Sequence, residues 1–379
     1  MPSRELRLRF FDLEASIRSD SLSHIDLLDR LYSRFRADEH VSPAPYQLDV
    51  ALLTRPENPW RGPVLIVDQE VWPLRDPSLL EGWAYAFILS NIIARVRSHC
   101  LIHAGVVAWE GQGVILPADS SYGKTTLVLE LVRRGFRFLS DEMAALGRAD
   151  RCVYPFSRSL RVMPDTLARV GLGDKASSAP VWMDKLILDI EEIYPGSLGA
   201  VAAISHVVFL QDQTQAPESV STDLKRGLSI SVDRADDDLL SAIGQIEGVE
   251  HASLTRVDTW PEIRVVTPRR TAVLVKIEEL CRQRRTLILD VTAEPRSRPA
   301  FEMPARLEQL PGSQAVMELL RLFRVGLGPS LLREEFGFSA ARLYWEVASL
   351  VADATCYRLT VGPLEQMADL VCGLLPIDG

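Results

Sequence analysis

The residues best suited to chemistry cluster around one short run, Ala118-Asp119-Ser120-Ser121-Tyr122-Gly123-Lys124-Thr125. It meets the second half of the phosphate-loop pattern G-x-x-x-x-G-K-[ST], with Ala118 where the first glycine would stand. Such loops turn backbone N–H groups inwards around phosphate, with a helix N-terminus behind them. They also need a lysine that reaches the β- and γ-phosphates and a hydroxyl for Mg2+, places that Lys124 and Thr125 fill. The candidate nucleotide contacts are therefore Asp119, Ser120, Ser121, Tyr122, Gly123, Lys124, Thr125 and Thr126. Alanine at position 118 matters only if that residue must take a positive φ.

Two adjacent carboxylates, Asp141 and Glu142, follow shortly downstream. One can accept a proton from an attacking hydroxyl while the other holds Mg2+, directly or through water. His103 lies upstream in a β-rich run, where a lone histidine is more often a packed core residue. The stretch "HCLIH" (99–103) has no second ligand pair at a spacing that suits zinc. Out of context, Gly-Lys-Thr reads as a solvated lysine at a helix start and Ser-Asp-Glu as a polar turn. Their place in a strand–loop–helix–strand succession favours the functional readings.

The elements that must position these residues follow from local pattern. "LIHAGVVAW" is a strand, "EGQG" a turn and "VILP" a returning strand. "KTTLVLELVRR" is a helix with Leu127, Val128, Leu131 and Val132 on one face and Gly135 closing it. "FRFLSDEMAALG" gives two short strands around Ser140-Asp141-Glu142, so the carboxylates sit at a strand's C-terminal end, where α/β sheets bind ligands. Upstream, "YQLDVALLT" (46–54) and "PVLIVDQEVWPL" (63–74) read as strands. Residues 76–98 read as a buried helix starting near Asp76 or Ser78, with Leu79, Leu80, Trp83, Phe87, Ile88 and Ile92 at helical spacing. Downstream, 228–292 runs β-α-β-β-α-β, the order of a ferredoxin-like unit. A Pro- and Arg-rich linker (293–312) and two or three helices close the chain, with Leu319, Phe323, Trp345 and Val351 at core spacing.

Composition narrows the function classes. At 379 residues the chain suits two or three domains, and 47% apolar with 25% charged residues is a globular balance. A formal net charge of -9 argues against a nucleic-acid surface. No apolar run reaches membrane-spanning length, and "MPSRELRLRF" has no signal-peptide core, so no membrane partner is expected. Five cysteines without paired spacing suit a reducing cytoplasm. The sequence leaves a homo-oligomer open.

The continuous block from His103 to Glu142 resembles the HPr kinase/phosphorylase family: strand histidine, β-hairpin, phosphate loop, "LVLELVRRG", basic–aromatic strand and acidic pair. The flanks look more like the HPr-kinase-related proteins of bacterial biosynthetic clusters. The resemblance implies a mixed α/β (α+β) chain with an HPr-kinase/phosphoenolpyruvate-carboxykinase-like phosphate-loop core at 99–227. An N-terminal α+β region (1–98), an inserted ferredoxin-like domain (228–292) and a linker with C-terminal helices packed on the core (293–379) would surround it. It further implies Lys124 on the β/γ-phosphates, Thr125 on Mg2+, Asp141 as general base towards a serine hydroxyl, Glu142 helping with the metal, and His103 near the phosphates. Arg158 would neutralise charge on the transferring group. The family's downstream metal-binding glutamate has no counterpart, because Phe156 falls at that place in "YPFSRSLRV". The expectation is an ATP- and Mg2+-dependent kinase acting on a Ser/Thr hydroxyl of a peptide or protein. The alternatives are a nucleotide-binding module without turnover and a small-molecule kinase.

Overall fold

The computed structural model describes residues 4–38, 40–55, 59, 62–73, 80–118, 122–182, 184–212, 227–232, 234–257, 260–284, 286, 288–294, 300–325 and 340–376. Asp119, Ser120 and Ser121 lie outside these, as do Asp76, Ser78 and Leu79.

Period-two alternation builds the N-terminal region. β1 (Arg4–Phe10) buries Leu6, Leu8 and Phe10, and β2 (Leu13–Ser19) buries Leu13, Ala15 and Ile17. After α1 (Leu22–Leu31) come β3 (Tyr46–Leu53), β4 (Val64–Val67) and β5 (Glu70–Pro73). They form one sheet in the order β1-β2-β3-β4-β5, with the β2–β3 pair parallel. The stretch 63–74, expected to be a single strand, is instead the β4–β5 hairpin, turned at Asp68 with φ 52. The following helix, α2 (Leu80–Arg95), stops short of the expected residue 98. The Asp12 carboxylate accepts the Arg97 and Ser98 N–H groups at 3.2 and 2.9 Å, offering the backbone a partner outside the helix.

The central sheet carries the candidate site. β6 (His99–Trp109) and β7 (Gln112–Pro117) are joined by Glu110 and Gly111, both at positive φ, the two-residue turn that matches strand twist. Then follow α3 (Lys124–Arg133), β8 (Arg137–Ser140), β9 (Met143–Gly147) and β10 (Cys152–Tyr154). A small side sheet contains β11 (Leu160–Val162), then α4 (Pro164–Arg169), β12 (Val181–Trp182) and β13 (Lys185–Leu188), in the order β11-β13-β12. α5 (Ile190–Ile193), opened by a capping box on Asp189, leads into β14 (Ala202–Gln211).

Residues 227–294 fold around a core of their own, including Leu228, Ile230, Ile243, Ile263, Val273 and Ile277. The elements are β15 (Gly227–Val232), α6 (Asp237–Gly244), β16 (His251–Val257), β17 (Trp260–Val266), α7 (Arg270–Gln283) and β18 (Ile288–Glu294). Their four strands make an antiparallel sheet ordered β16-β17-β15-β18. Asp236 caps α6 by accepting from Leu239 N–H at 2.7 Å.

The C-terminal part departs from the expected linker and run of helices. β19 (Arg306–Gln309) is an edge strand of the central sheet, followed by α8 (Gly312–Val325) and α9 (Ala340–Leu350). A further strand, β20 (Thr355–Thr360), precedes α10 (Leu364–Cys372) and pairs in parallel with β14. The sheet runs β10-β9-β6-β7-β14-β20-β19, with β8 on β6. α3 and α10 cover one face, through Leu127, Val128, Leu131, Met367 and Val371. α8 and α9 cover the other, through Ala315, Val316, Leu319, Val347 and Leu350. Trp345, expected at core spacing, is 71% exposed, because α9 turns Val347 and Leu350 inwards and position 345 out. The side chain of Phe323 lies outside the described residues.

Candidate functional site

Strand direction alone gathers the candidate residues. β7 and β8 both pair antiparallel to β6 and therefore run parallel to each other, with β6 between them. The turn into α3 and the Asp141-Glu142 pair thus leave the sheet at the same end. The register puts Gly105 opposite Leu116, Val106 opposite Ser140 and His103 opposite Met143, so the N-terminal half of β6 reaches that end too.

Lys124 is the first residue of α3 and only 8% exposed. Its Nζ lies 2.6 Å from Nε2 of His103. Burial, and secondly the Lys124 charge, hold His103 down at about 3, so the imidazole is neutral near pH 7 and accepts from the ammonium. Gly105, one strand repeat from His103, makes this approach geometrically possible. A Cβ there would fall 2.6 Å from Val128 Cγ2 and 3.2 Å from Lys124 Cγ. Gly105→Val should force α3 off the strand, destabilising the protein by about 1–3 kcal/mol in urea unfolding.

Gly123 takes φ 79 immediately before α3, a conformation that favours glycine, and as the N-cap residue it has no side chain to cap the helix start. The Phe301 ring lies against it, 3.2 Å from where a Cβ would be. Ala118 is buried with Leu116, Tyr122 and Leu127 and is absent from the positive-φ residues. Its backbone therefore suits an ordinary residue, and alanine there imposes no strain. The Tyr122 side chain also packs into this apolar cluster, and Thr125 is partly exposed.

The acidic pair is held by a serine turn. Ser140 Oγ accepts from Met143 N–H at 2.9 Å and Glu142 N–H at 3.3 Å. Asp141 is 3% exposed, and its Oδ1 is buried without a hydrogen-bond partner. Burial pushes its carboxyl above the ordinary range, against the opposing pull of Arg158. Glu142 behaves oppositely. Burial would raise it, but Arg158, His103 and Arg161 outweigh that and hold it at about 2. Glu142 is ion-paired with Arg158 through Oε2, which also accepts from Tyr85 Oη at 3.1 Å. The two neighbouring carboxyls are thus pushed apart, one towards holding a proton and one firmly ionised, which suits a division of labour.

Several residues of this site escaped the sequence reading. Arg161 packs against both Tyr85 and Trp182, its guanidinium carbon 4.7 and 4.4 Å from the ring centroids. Lys185 is electrostatically coupled to Arg161, Glu142, Arg158 and Asp141, and burial followed by the Arg161 charge lowers its pKa. The one available signal was a second arginine in "SRSLRV" and a lone lysine opening the apolar run "KLILD". Phe156 is a packing group: its ring lies 4.9 Å from Phe35 and 6.0 Å from Phe10, tying the loop to the N-terminal sheet. His99 stacks on Phe11 at 3.7 Å, and no cluster of three or more metal-ligating side chains occurs among the described residues.

No protein-family pattern and no curated protein matches the sequence. Among solved structures, the Hpr(Ser) kinase/phosphatase from Coxiella burnetii is similar over 49% of this chain and 95% of its own, at 14% identity and a TM-score of 0.22. At that level the likeness assigns neither fold nor activity. No described helix is long and apolar enough to cross a membrane.

Proposed function

We propose that the chain is an ATP- and Mg2+-dependent phosphotransferase acting on a hydroxyl, with a Ser/Thr side chain of a peptide or protein as acceptor. The observation that carries this reading is the convergence of Lys124, at a glycine-preceded helix start, with a buried, unpartnered Asp141 oxygen on the next parallel strand. The resemblance of residues 103–142 to HPr kinases supports it.

The residues present fit both groups. The N-cap of α3 is Gly123, which has no side chain to cap the first turn, and the helix dipole favours anions there. Mg2+ takes few protein ligands beside phosphate oxygens, so Thr125 and one carboxylate suffice. ATP supplies the phosphoryl group and Mg2+ neutralises its oxygens. Lys124 is held by His103 as a pre-positioned cation for the β/γ-phosphates. Asp141 takes the acceptor proton. Arg158 stands in the same buried cluster, where it can neutralise developing negative charge.

The test pairs binding with transfer. Wild type should bind ATP by titration calorimetry and label a Ser/Thr peptide from γ-labelled ATP, and Lys124→Met should lose at least about tenfold in ATP affinity. Unchanged affinity in that variant would refute the loop assignment. Nucleotide binding without transfer to any peptide or small hydroxyl compound would favour a binding module. The engagement of Glu142 by Arg158 and Tyr85 is the observation on that side.

A further inference from the structure

The buried cluster contains more positive charge than its carboxylates answer. Lys124, Arg158, Arg161 and Lys185 all interact electrostatically with Glu142, and all but Arg161 with Asp141 as well: four cations against two carboxylates. Arg158 has Glu142 and the Ser159 carbonyl, and Lys124 has His103. Arg161 and Lys185 have no carboxylate partner among the described residues. The Nε of Arg161 is buried without a hydrogen bond. The nearby Glu81 is taken by Trp182 Nε1 at 3.1 Å and His24 at 3.4 Å. Partly buried cations normally find a counter-charge, because desolvating them alone is unfavourable.

Register explains why the two belong together. Arg161 pairs with Ile187, and Lys185 with Trp182. Ile187 is two residues from Lys185, so Arg161, Lys185 and Trp182 share one face of the β11-β13-β12 sheet. The flanking Leu160, Val162, Leu186 and Leu188 point to the opposite, apolar side. The Tyr85 and Trp182 rings contact each other at 5.3 Å and pack on the Arg161 guanidinium from one side, and the Tyr85 side chain also hydrogen-bonds it, so the rest of its donor edge is what a ligand would meet. Both cations are partly exposed and therefore reachable.

We infer that Arg161 and Lys185 form an oxyanion-receiving subsite beside Asp141, which selects an acceptor carrying a carboxylate or phosphate close to its reacting hydroxyl. The assignment of the bound group to the acceptor rests on the phosphotransferase reading; the anion site itself does not. Such an acceptor is either a small hydroxy acid or a Ser/Thr segment with an adjacent acidic group. An aromatic-flanked arginine edge suits planar, two-pronged contact with such a group.

The test uses the full chain. Glycerate and glycerol phosphate are titrated against uncharged glycerol, and a Ser peptide with a neighbouring Asp against its Asn counterpart, with ATP titrated separately. Wild type should bind the charged member of at least one pair. Lys185→Gln and Arg161→Gln should weaken that binding by about tenfold or more, while Lys185→Arg restores it and ATP affinity is retained. In transfer assays the Gln variants should raise the acceptor KM more than they lower kcat. Binding of only the small pair, or only the peptide pair, identifies the source of the anion. The inference is overturned if no charged probe binds better than its neutral partner. It is equally overturned if the Gln variants bind as wild type does, or if they lose ATP affinity as much as probe affinity. Anion binding that depends on Lys185, in a protein that binds no ATP, would instead sink the phosphotransferase reading and leave the subsite standing.

Discussion

Asp141→Asn should lower phosphoryl transfer by about 10²–10⁴-fold, the usual contribution of a positioned general base, while nucleotide affinity is kept. Asparagine keeps the shape of the side chain at the end of β8 but cannot accept the acceptor proton. The pH profile supplies a sharper readout. Burial raises the Asp141 carboxyl above the ordinary carboxylate range, with Arg158 and Lys124 opposing and Glu142 adding. A base must be ionised, so wild-type kcat/KM should climb as pH rises through that raised value and fall below it. Residual activity of the Asn variant should lack this limb.

Linkage gives the same substitution an opposite effect on stability. Because the folded state holds the Asp141 proton more tightly than the unfolded chain, ionisation opposes folding above the ordinary carboxylate pKa and does not below it. Asp141→Asn should therefore unfold at higher urea than wild type at pH 7, with the difference shrinking in acid. A variant equally active, or one less stable at neutral pH, would remove Asp141 from the role of a strained, functional carboxylate.

What the sequence made legible here is what neighbouring residues decide. The run from β6 to β9 alternates, turns and switches to helical period within a short span, so His103, Lys124, Asp141 and Glu142 could be placed on strand, loop and helix by pattern alone. The succession of elements in 227–294 was legible for the same reason. β20 was not. "TCYRLT" has little apolar alternation, and it is a strand because β14 and β19 flank it from distant parts of the chain. The placement of Arg161 and Lys185 on one sheet face was hidden likewise, since it depends on the β11–β13 and β12–β13 registers rather than on spacing. Phe156 shows the limit of reading by family pattern. Its aromatic partners sit on β1 and the short turn after α1, which no local window contains.

The Glu142–Arg158 pair should dominate the stability of the site, and unequally. The Arg158 side chain is 3% exposed and that of Glu142 24%. Breaking a buried pair by removing one partner costs about 3–5 kcal/mol, mainly through the charge left behind. Glu142→Gln removes the ion-pair partner of the more deeply buried guanidinium, leaving it the Ser159 carbonyl at 3.2 Å, the Tyr85 ring at 5.8 Å and the attraction of the Asp141 carboxyl. Arg158→Met leaves a carboxylate with Tyr85, Arg161 and some solvent, and its pKa can rise to relieve it. Urea unfolding at pH 7 should therefore show Glu142→Gln as the more damaging change, and the double variant less damaging than the sum of the singles. The sign in acid follows from the depressed Glu142 value. Its contribution is complete above the ordinary carboxylate pKa and is lost as pH falls towards about 2, so wild type should lose more stability in acid than Arg158→Met does. Arg158 also pulls Asp141 down, so Arg158→Met should move the acid limb of the transfer profile to higher pH. An additive double variant, or an unmoved limb, would mean that the two carboxyls are set independently and that Arg158 does not hold the site's charges apart.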